Sequence, residues 1–327
     1  MMTYKKYIER IKNELQMKMG AEFLVLISQV KKNNGVILQG ISITDQSNNM
    51  SPVFYLTDQY KIDVSSPEDC ETRIRETIGE IIRIYYDQCL STAFDLGFFR
   101  FYANVKEKVL FRLINFQKNK DLLAGIPHKC FYDLALVFYC DFSNNFFENG
   151  TILLDNSHLT LWGVSLEEVF ADALHNTPKL RPAVIKTMAE VMKELLAARI
   201  DKKYGGDDET KILVKEFLAK EHDKGIKKDC QSSAMYVAGN QQKLFGAAVL
   251  LYPDFIKNFA DRIGADLYIF PSSIHEIILS PAQKTADRAE LLKLVCEINE
   301  TQVDPEEVLA DTVYYYNRSI DVIELIS

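Results

Sequence analysis

The runs Phe23-Leu-Val-Leu-Ile27 and Val36-Ile-Leu38 through Ile43, separated by Lys31-Lys-Asn-Asn-Gly35, decide the fold class. Each apolar run has strand length. Asn-Gly favours the positive φ of a tight reversal, so the stretch predicts a β-hairpin. Val53-Phe-Tyr-Leu56 follows as a third short strand. Upstream, residues 3–18 place Tyr4, Ile8, Ile11 and Leu15 on one helical stripe. Downstream, Ser66-Pro67-Glu68-Asp69 is a helix start, with Ser66 as cap, Pro67 at the first helical position and Asp69 reaching back. Ile74, Ile78, Ile81, Ile82, Tyr85 and Cys89 then repeat at helical spacing. Hairpins flanked by amphipathic helices, rather than a strict β-α alternation, predict an α+β protein.

The rest of the chain extends this pattern. Val109–Ile114, Leu134–Tyr139 and Thr151–Leu154 read as strands, with Asn144-Asn145 and Asn149-Gly150 marking a second hairpin. Ser165-Leu-Glu-Glu168 is a capping box for a helix that Pro178 is expected to end. A further helix is expected from Pro182, with Ile185, Met188, Met192, Leu195, Leu196 and Arg199 as its stripe and Gly205-Gly206 as its stop. Residues 201–231 are rich in charge and read as a connector, with a short helix at 209–221. Beyond it, Met235–Val237 and Ala247–Leu251 read as strands, 253–263 and 286–299 as helices, and 312–316 and 320–325 as closing strands. Asp304-Pro305-Glu306-Glu307 is expected to start one more helix, with Val303 and Val308 as a hydrophobic staple. The organisation expected is an N-terminal α+β region (1–200), the connector (201–231) and a C-terminal α+β region (232–327), with mixed or antiparallel sheets packed by amphipathic helices.

Composition narrows the function classes. The 327 residues carry 38 basic and 46 acidic side chains, a formal charge of -8, which disfavours a protein that works by neutralising phosphates. Only Arg112, Lys118 and Lys120 around Asn115–Asn119 hint at a basic, aromatic surface. The six cysteines show no C-x-x-C pair, and no two histidines have ligand spacing, so neither a structural metal nor a redox dithiol is expected. Cys89 and Cys140 read as small core residues. No Walker, G-x-G-x-x-G or EF-hand pattern is present, and no cofactor is expected. The apolar runs fall short of the roughly 20 residues a spanning helix needs, and Met1 leads straight into an amphipathic helix rather than a secretory segment. A cytoplasmic protein is expected.

Four clusters carry candidate chemistry. Asp266-Leu-Tyr-Ile-Phe-Pro-Ser-Ser-Ile-His-Glu276 sets Ser272, Ser273, His275 and Glu276 between two apolar strands. If the segment is extended, Ser273 and His275 share a face about 6.5–7 Å apart, and a serine–histidine pair or a Glu276 base becomes conceivable. No G-x-S-x-G elbow or H-E-x-x-H frame supports it, so a hydrogen-bonded structural node is the favoured reading. His128 and Asp133 could orient a site, though a turn role for Asp133 is favoured. Asp155-Asn-Ser-His158 ends a strand and could start a helix. Trp162 beside Gly163 is either ligand-facing or a core plug, with the core favoured.

A resemblance is carried by several of these pieces together. Ile126-Pro-His128 leads into Asp133-Leu-Ala-Leu-Val-Phe-Tyr139; Trp162-Gly-Val164 precedes an acidic helix start; Met235-Tyr-Val237 precedes Asn240; Gly246-Ala-Ala248 precedes Leu250-Leu251; and Asp266-Leu-Tyr-Ile269 runs into Pro271-Ser-Ser-Ile-His-Glu276. Ser51-Pro52 and Tyr55-Leu56 match as well. On these residues the chain resembles the bacterial family termed domain of unknown function 5688. The resemblance implies a soluble bacterial protein and carries no catalytic residues. The function expected is a non-enzymatic interaction or regulatory role, with another protein as partner and no membrane. The alternative is a hydrolase built on Ser272, Ser273, His275 and Glu276. A nucleic-acid-associated role is the weakest expectation.

Overall fold

A computed structural model describes residues 2–45, 52–63, 70–87, 96–142, 150–204, 235–282 and 287–326. It divides into two compact units, residues 1–104 with 142–151 and residues 105–141 with 152–327. The architecture is α+β, and every sheet among the described residues is antiparallel. The expected helix start at Ser66–Asp69, Cys89, the Asn144-Asn145 and Asn149 turn signals, Cys230 and the 209–221 helix lie outside the described residues.

In the first unit the chain runs α1 (Tyr4–Met19), β1 (Phe23–Lys31), β2 (Ile37–Asp45), β3 (Val53–Tyr55), α2 (Thr57–Asp63) and α3 (Cys70–Tyr85). The sheet order is β1-β2-β3. The hairpin forms as its turn residues require, with Asn34 at φ 58° and Gly35 at φ 72°. Thr3 caps α1 by accepting from the Lys6 amide. Strand alternation sends Phe23 and Val25 of β1, with Ile41 and Ile43 of β2, to one face. There they meet Tyr7, Ile8, Ile11 and Leu15 of α1 and Ile74, Ile78, Ile81 and Tyr85 of α3. Each fully buried aliphatic contributes about 1.5–3 kcal/mol of transfer free energy.

Among its described residues the second unit holds two sheets. One orders β4 (Val109–Asn115), β6 (Leu134–Asp141) and β5 (His128–Phe131), with β7 (Thr151–Leu153) also on β6. After α4 (Asn156–Trp162), α5 (Leu166–Leu180) docks on β4. Its Asn176 amide donates to the carbonyls of Lys106 and Val109, and Thr177 Oγ1 accepts the Phe111 amide. The second sheet orders β13 (Val322–Ile326), β12 (Val313–Asn317), β10 (Leu267–Phe270), β11 (Ile277–Pro281), β9 (Tyr236–Asn240) and β8 (Ala183–Thr187). Thus β8 comes from before residue 200 and the other five strands from after 235. Apart from one-turn helices, the second unit adds α6 (Met188–Tyr204), α7 (Phe255–Ile263) and α8 (Arg288–Gln302) among its described residues; Leu291, Leu292 and Val295 of α8 pack on Phe270, Val313 and Ile326.

Four expectations need correction. Pro178 does not end α5, which continues to Leu180; a proline in the last turn forfeits one amide, and the helix closes soon after. Pro182 leads into β8, not a helix, and α6 begins only at Met188. Thr187 and Glu190 form a reciprocal cap there, so the boundary had a local signal. The expected stripe breaks accordingly, and Met192 and Leu195 are exposed. Gly246–Leu251 is a 3-10 helix rather than a strand; an unbroken apolar run does not distinguish the two by periodicity. Finally, no helix follows Asp304. The chain makes one turn, with the Glu307 and Val308 amides donating to Asp304 O, and then pairs with another segment.

That pairing ties the second unit together. Ala310 and Leu309 amides donate to the carbonyls of Pro271 and Ser272, the Ile274 amide donates to Glu307 O, and the Ala247 amide donates to Ile274 O. Gly246 makes the crossing possible, because a Cβ there would lie 2.3 Å from His275 O and 2.8 Å from Asn240 N. Two glycines therefore give opposite expected outcomes. Gly79 of α3 is exposed with nothing within 4 Å of a Cβ, so Gly79→Ala should stabilise the first unit by about 1 kcal/mol. Gly246→Ala should destabilise the second by about 3 kcal/mol, since a backbone carbonyl must move. Urea unfolding followed by circular dichroism and by the single tryptophan, Trp162, measures both.

Candidate functional site

The candidate site is built where the Pro271–Glu276 connection meets the loop after β9. Asn240 closes that loop: its carboxamide donates to Leu244 O at 2.7 Å and accepts the Leu244 amide at 3.2 Å. The loop then delivers Phe245 in the left-handed region, φ 53° and ψ 33°, a strained conformation for a bulky residue. The Phe245 amide donates to His275 Nδ1 at 3.1 Å, and the two rings stack with centroids 5.8 Å apart. A donor facing Nδ1 leaves the neutral ring's proton on Nε2, which sits 3.4 Å from Glu307 Oε1. The Phe245 ring also packs edge-on against Tyr139 of β6 and lies 4.4 Å below the guanidinium carbon of Arg112 on β4.

The serines lie beside this cluster in structural roles. Ser273 bridges to Val308, and its Oγ accepts the backbone amide of His275 at 3.1 Å. Ser272 is buried, and its carbonyl serves Leu309. The His275 ring thus meets Phe245 and Glu307, while Ser273 meets only the backbone of His275. Glu276 is exposed beside Gly239, with its carboxyl pushed up by desolvation.

The other candidates are dispersed. His128 Nδ1 donates to Ile126 O at 3.0 Å, and its ring packs near Phe116. Asp133 turns the other way: its carboxylate accepts Thr312 Oγ1 at 2.8 Å and the Tyr314 hydroxyl. Burial is the main cause that pushes the Tyr314 phenol up, with Asp133 adding to it. His158 is the third residue of α4, and its Nδ1 accepts the Asp155 amide while Asp155 Oδ1 accepts the Ser157 and His158 amides. Trp162 is half-buried and stacks on His158 instead of plugging the core. Lys118 pairs with Asp311 at 3.1 Å, and Arg112 is half-buried in mid-strand, so neither joins an exposed basic stripe with Lys120. Cys140 is buried, which pushes its thiol up to about 12. No group of three or more His, Cys, Asp or Glu among the described residues could hold a metal ion, and no helix among them is long and apolar enough to cross a membrane.

Phe245, Tyr139 and Glu307 were absent from the sequence-derived sites, and Arg112 was singled out only as part of a basic surface with Lys118 and Lys120. One local signal existed for Arg112: it is the only charge in Val109–Asn115, a strand otherwise buried throughout. Phe245 gave none, because its backbone conformation and its neighbours both arise from tertiary contacts.

The α4 cap yields a pH-dependent expectation. The Ser157 hydroxyl first, and the His158 and Ser157 amides after it, hold the Asp155 carboxyl below its usual range. Its contribution is therefore complete above the ordinary carboxylate pKa of about 4 and fades as pH falls through the lower folded value. Asp155→Ala should cost about 1 kcal/mol at neutral pH, and the deficit should shrink in acid. Paired urea titrations of wild type and variant from neutral to acidic pH measure it.

The chain matches the model of a family of unknown function, DUF5688, over residues 4–318. No curated protein and no solved structure matches it. With nearly the whole chain spanned by one family model, the protein belongs to DUF5688.

Proposed function

We propose that this is a non-enzymatic, cytoplasmic binding protein that accepts an extended segment of a protein partner along β1. One observation carries the reading. Among the described residues β1 is a nine-residue strand at the edge of its sheet, paired with β2 in unbroken register from Phe23–Asp45 to Lys31–Ile37. Soluble proteins usually blunt such edges with proline, bulges, brevity or charge. From Phe23 to Val30 β1 has none of these. Its outward positions expose Leu24 and Leu26, at 52% and 45% of their surface, while Phe23 and Val25 hold the core on the other face. An added strand would gain main-chain hydrogen bonds from the edge, and apolar side chains at alternate positions would cover the leucines. The partner chemistry that fits is an uncharged extended segment with apolar residues every second position.

The hydrolase alternative gains little from the geometry. The Ser273 hydroxyl accepts the His275 backbone amide, and His275 Nδ1 is occupied by the Phe245 amide. A displayed library of extended ten-residue peptides, followed by amide chemical-shift mapping, tests the proposal. Binders should perturb and protect amides in Phe23–Lys31. The double variant Leu24→Lys, Leu26→Lys should lose at least tenfold in affinity while its core-facing residues keep the unit folded. Binders that map elsewhere, or that bind the double variant equally well, would contradict it.

A further inference from the structure

Among the described residues, Arg112 is an arginine without an acid. Its Nε reaches neither solvent nor any hydrogen-bond partner. No carboxylate lies within ion-pair distance of it among the described residues, and its guanidinium sits over the face of Phe245. Desolvation pulls the guanidinium down to about 10, with only the Tyr139 phenol acting in the other direction, so it stays charged at neutral pH. The nearby Arg181 differs. It pairs with Asp141 at 2.6 Å, lies beside the Tyr139 phenol, and also leaves its Nε without a partner. Among the described residues the Asp141 carboxylate is therefore taken by Arg181, and Arg112 is left without one.

A desolvated, unpaired charge is among the costlier features a fold can keep, and replacing one by an apolar side chain is often neutral or stabilising. Here the surroundings position Arg112 rather than neutralise it. Phe245, beneath the guanidinium, is held in its strained conformation by His275 Nδ1 and by the Asn240-closed loop. Desolvation raises the Tyr139 phenol to about 12, so it is a neutral hydroxyl. Arg112 is half-buried as a residue, and of its guanidinium nitrogens only Nε is both sealed from solvent and unpartnered, which leaves the Nη end of the fork open to approach. A guanidinium of this kind matches the two oxygens of a carboxylate or phosphate in a bidentate pair.

We propose that Arg112 anchors an oxyanion site in the second unit, binding a carboxylate or phosphate group over the Phe245 ring with the Tyr139 hydroxyl beside it. The missing acid is then supplied by a small ligand. This site is independent of the β1 edge, and neither proposal depends on the other.

The test uses the full chain in a buffer free of oxyanions, at constant ionic strength set with chloride. Inorganic phosphate and acetate are titrated separately while the arginine Nε–H resonances and the melting temperature are followed. The Arg112 Nε–H signal, protected from solvent, should shift saturably with one or both probes. Which probe binds more tightly distinguishes a phosphate ligand from a carboxylate one. Binding should raise the melting temperature. Arg112→Met should abolish both responses yet melt no lower than wild type without anion. Arg112→Lys, which keeps the charge but loses the fork, should weaken binding at least tenfold. A wild type that responds to neither probe would overturn the proposal, as would an Arg112→Met variant that responds like wild type. An Arg112→Met variant that melts lower without anion or fails to fold would make Arg112 structural and also overturn it.

Discussion

The second unit depends on one stretch of backbone, Pro271 to Ile274, which supplies or accepts main-chain hydrogen bonds on two sides at once. Pro271 and Ser272 carbonyls take the amides of Ala310 and Leu309, Ile274 gives its amide to Glu307 and its carbonyl to Ala247. Pro271 lacks an amide, so it can end β10 without leaving a buried donor unpaired. Unpaired buried backbone groups are costly, which makes these bonds a constraint on where three distant segments must lie. Placing Gly246 against His275 O sets the start of the 3-10 helix, and with it the position of Phe245.

Polar side chains extend the same logic between the two sheets of that unit. Asp133 joins the β5–β6 turn to Thr312 and Tyr314, the Asn115 amide donates to Leu309 O, and Asn299 reaches Ala310 O and Asp311. All of these partners except the exposed Asp311 are buried or half-buried, so the contacts hold geometry through the penalty of losing them. Polar residues in apolar surroundings here divide into two kinds. Asp133, Asn115, Asn299 and Ser273 have partners supplied by the fold. Among the described residues Arg112 has no such partner, and that difference is what the proposed oxyanion site rests on.

Local chemistry was legible in the sequence wherever the cause is local. The Asn34-Gly35 reversal, the Ser165–Glu168 box and the left-handed Gly264 after α7 all follow from neighbouring residues. The α1 and α3 stripes were legible because one face of each helix is buried against a single sheet. Failures occurred where tertiary pairing overrode local preference. Asp304–Glu307 carries helix-start residues, yet the segment behind it is recruited by Pro271–Ile274. Ala247–Leu251 has strand composition, but Gly246 packs it too closely for an extended path. In the candidate site, Ser273 and His275 were visible as a pair, while their actual partners, Phe245, Glu307 and Val308, come from elsewhere in the chain. Asp133 was read as a turn residue; its acceptors' donors lie 179 and 181 positions away, beyond the reach of any spacing argument.

Native-state hydrogen exchange of the Ile274, Leu309 and Ala310 amides tests the central role of this backbone crossing most directly. These residues lie outside the named strands and would exchange as surface loops if the crossing were incidental. If it holds the second unit together, they should exchange only through global unfolding of that unit, with the same opening free energy and denaturant dependence as the amides of β10 and β11. Exchange through small local openings, insensitive to denaturant while β10 and β11 remain protected, would contradict it.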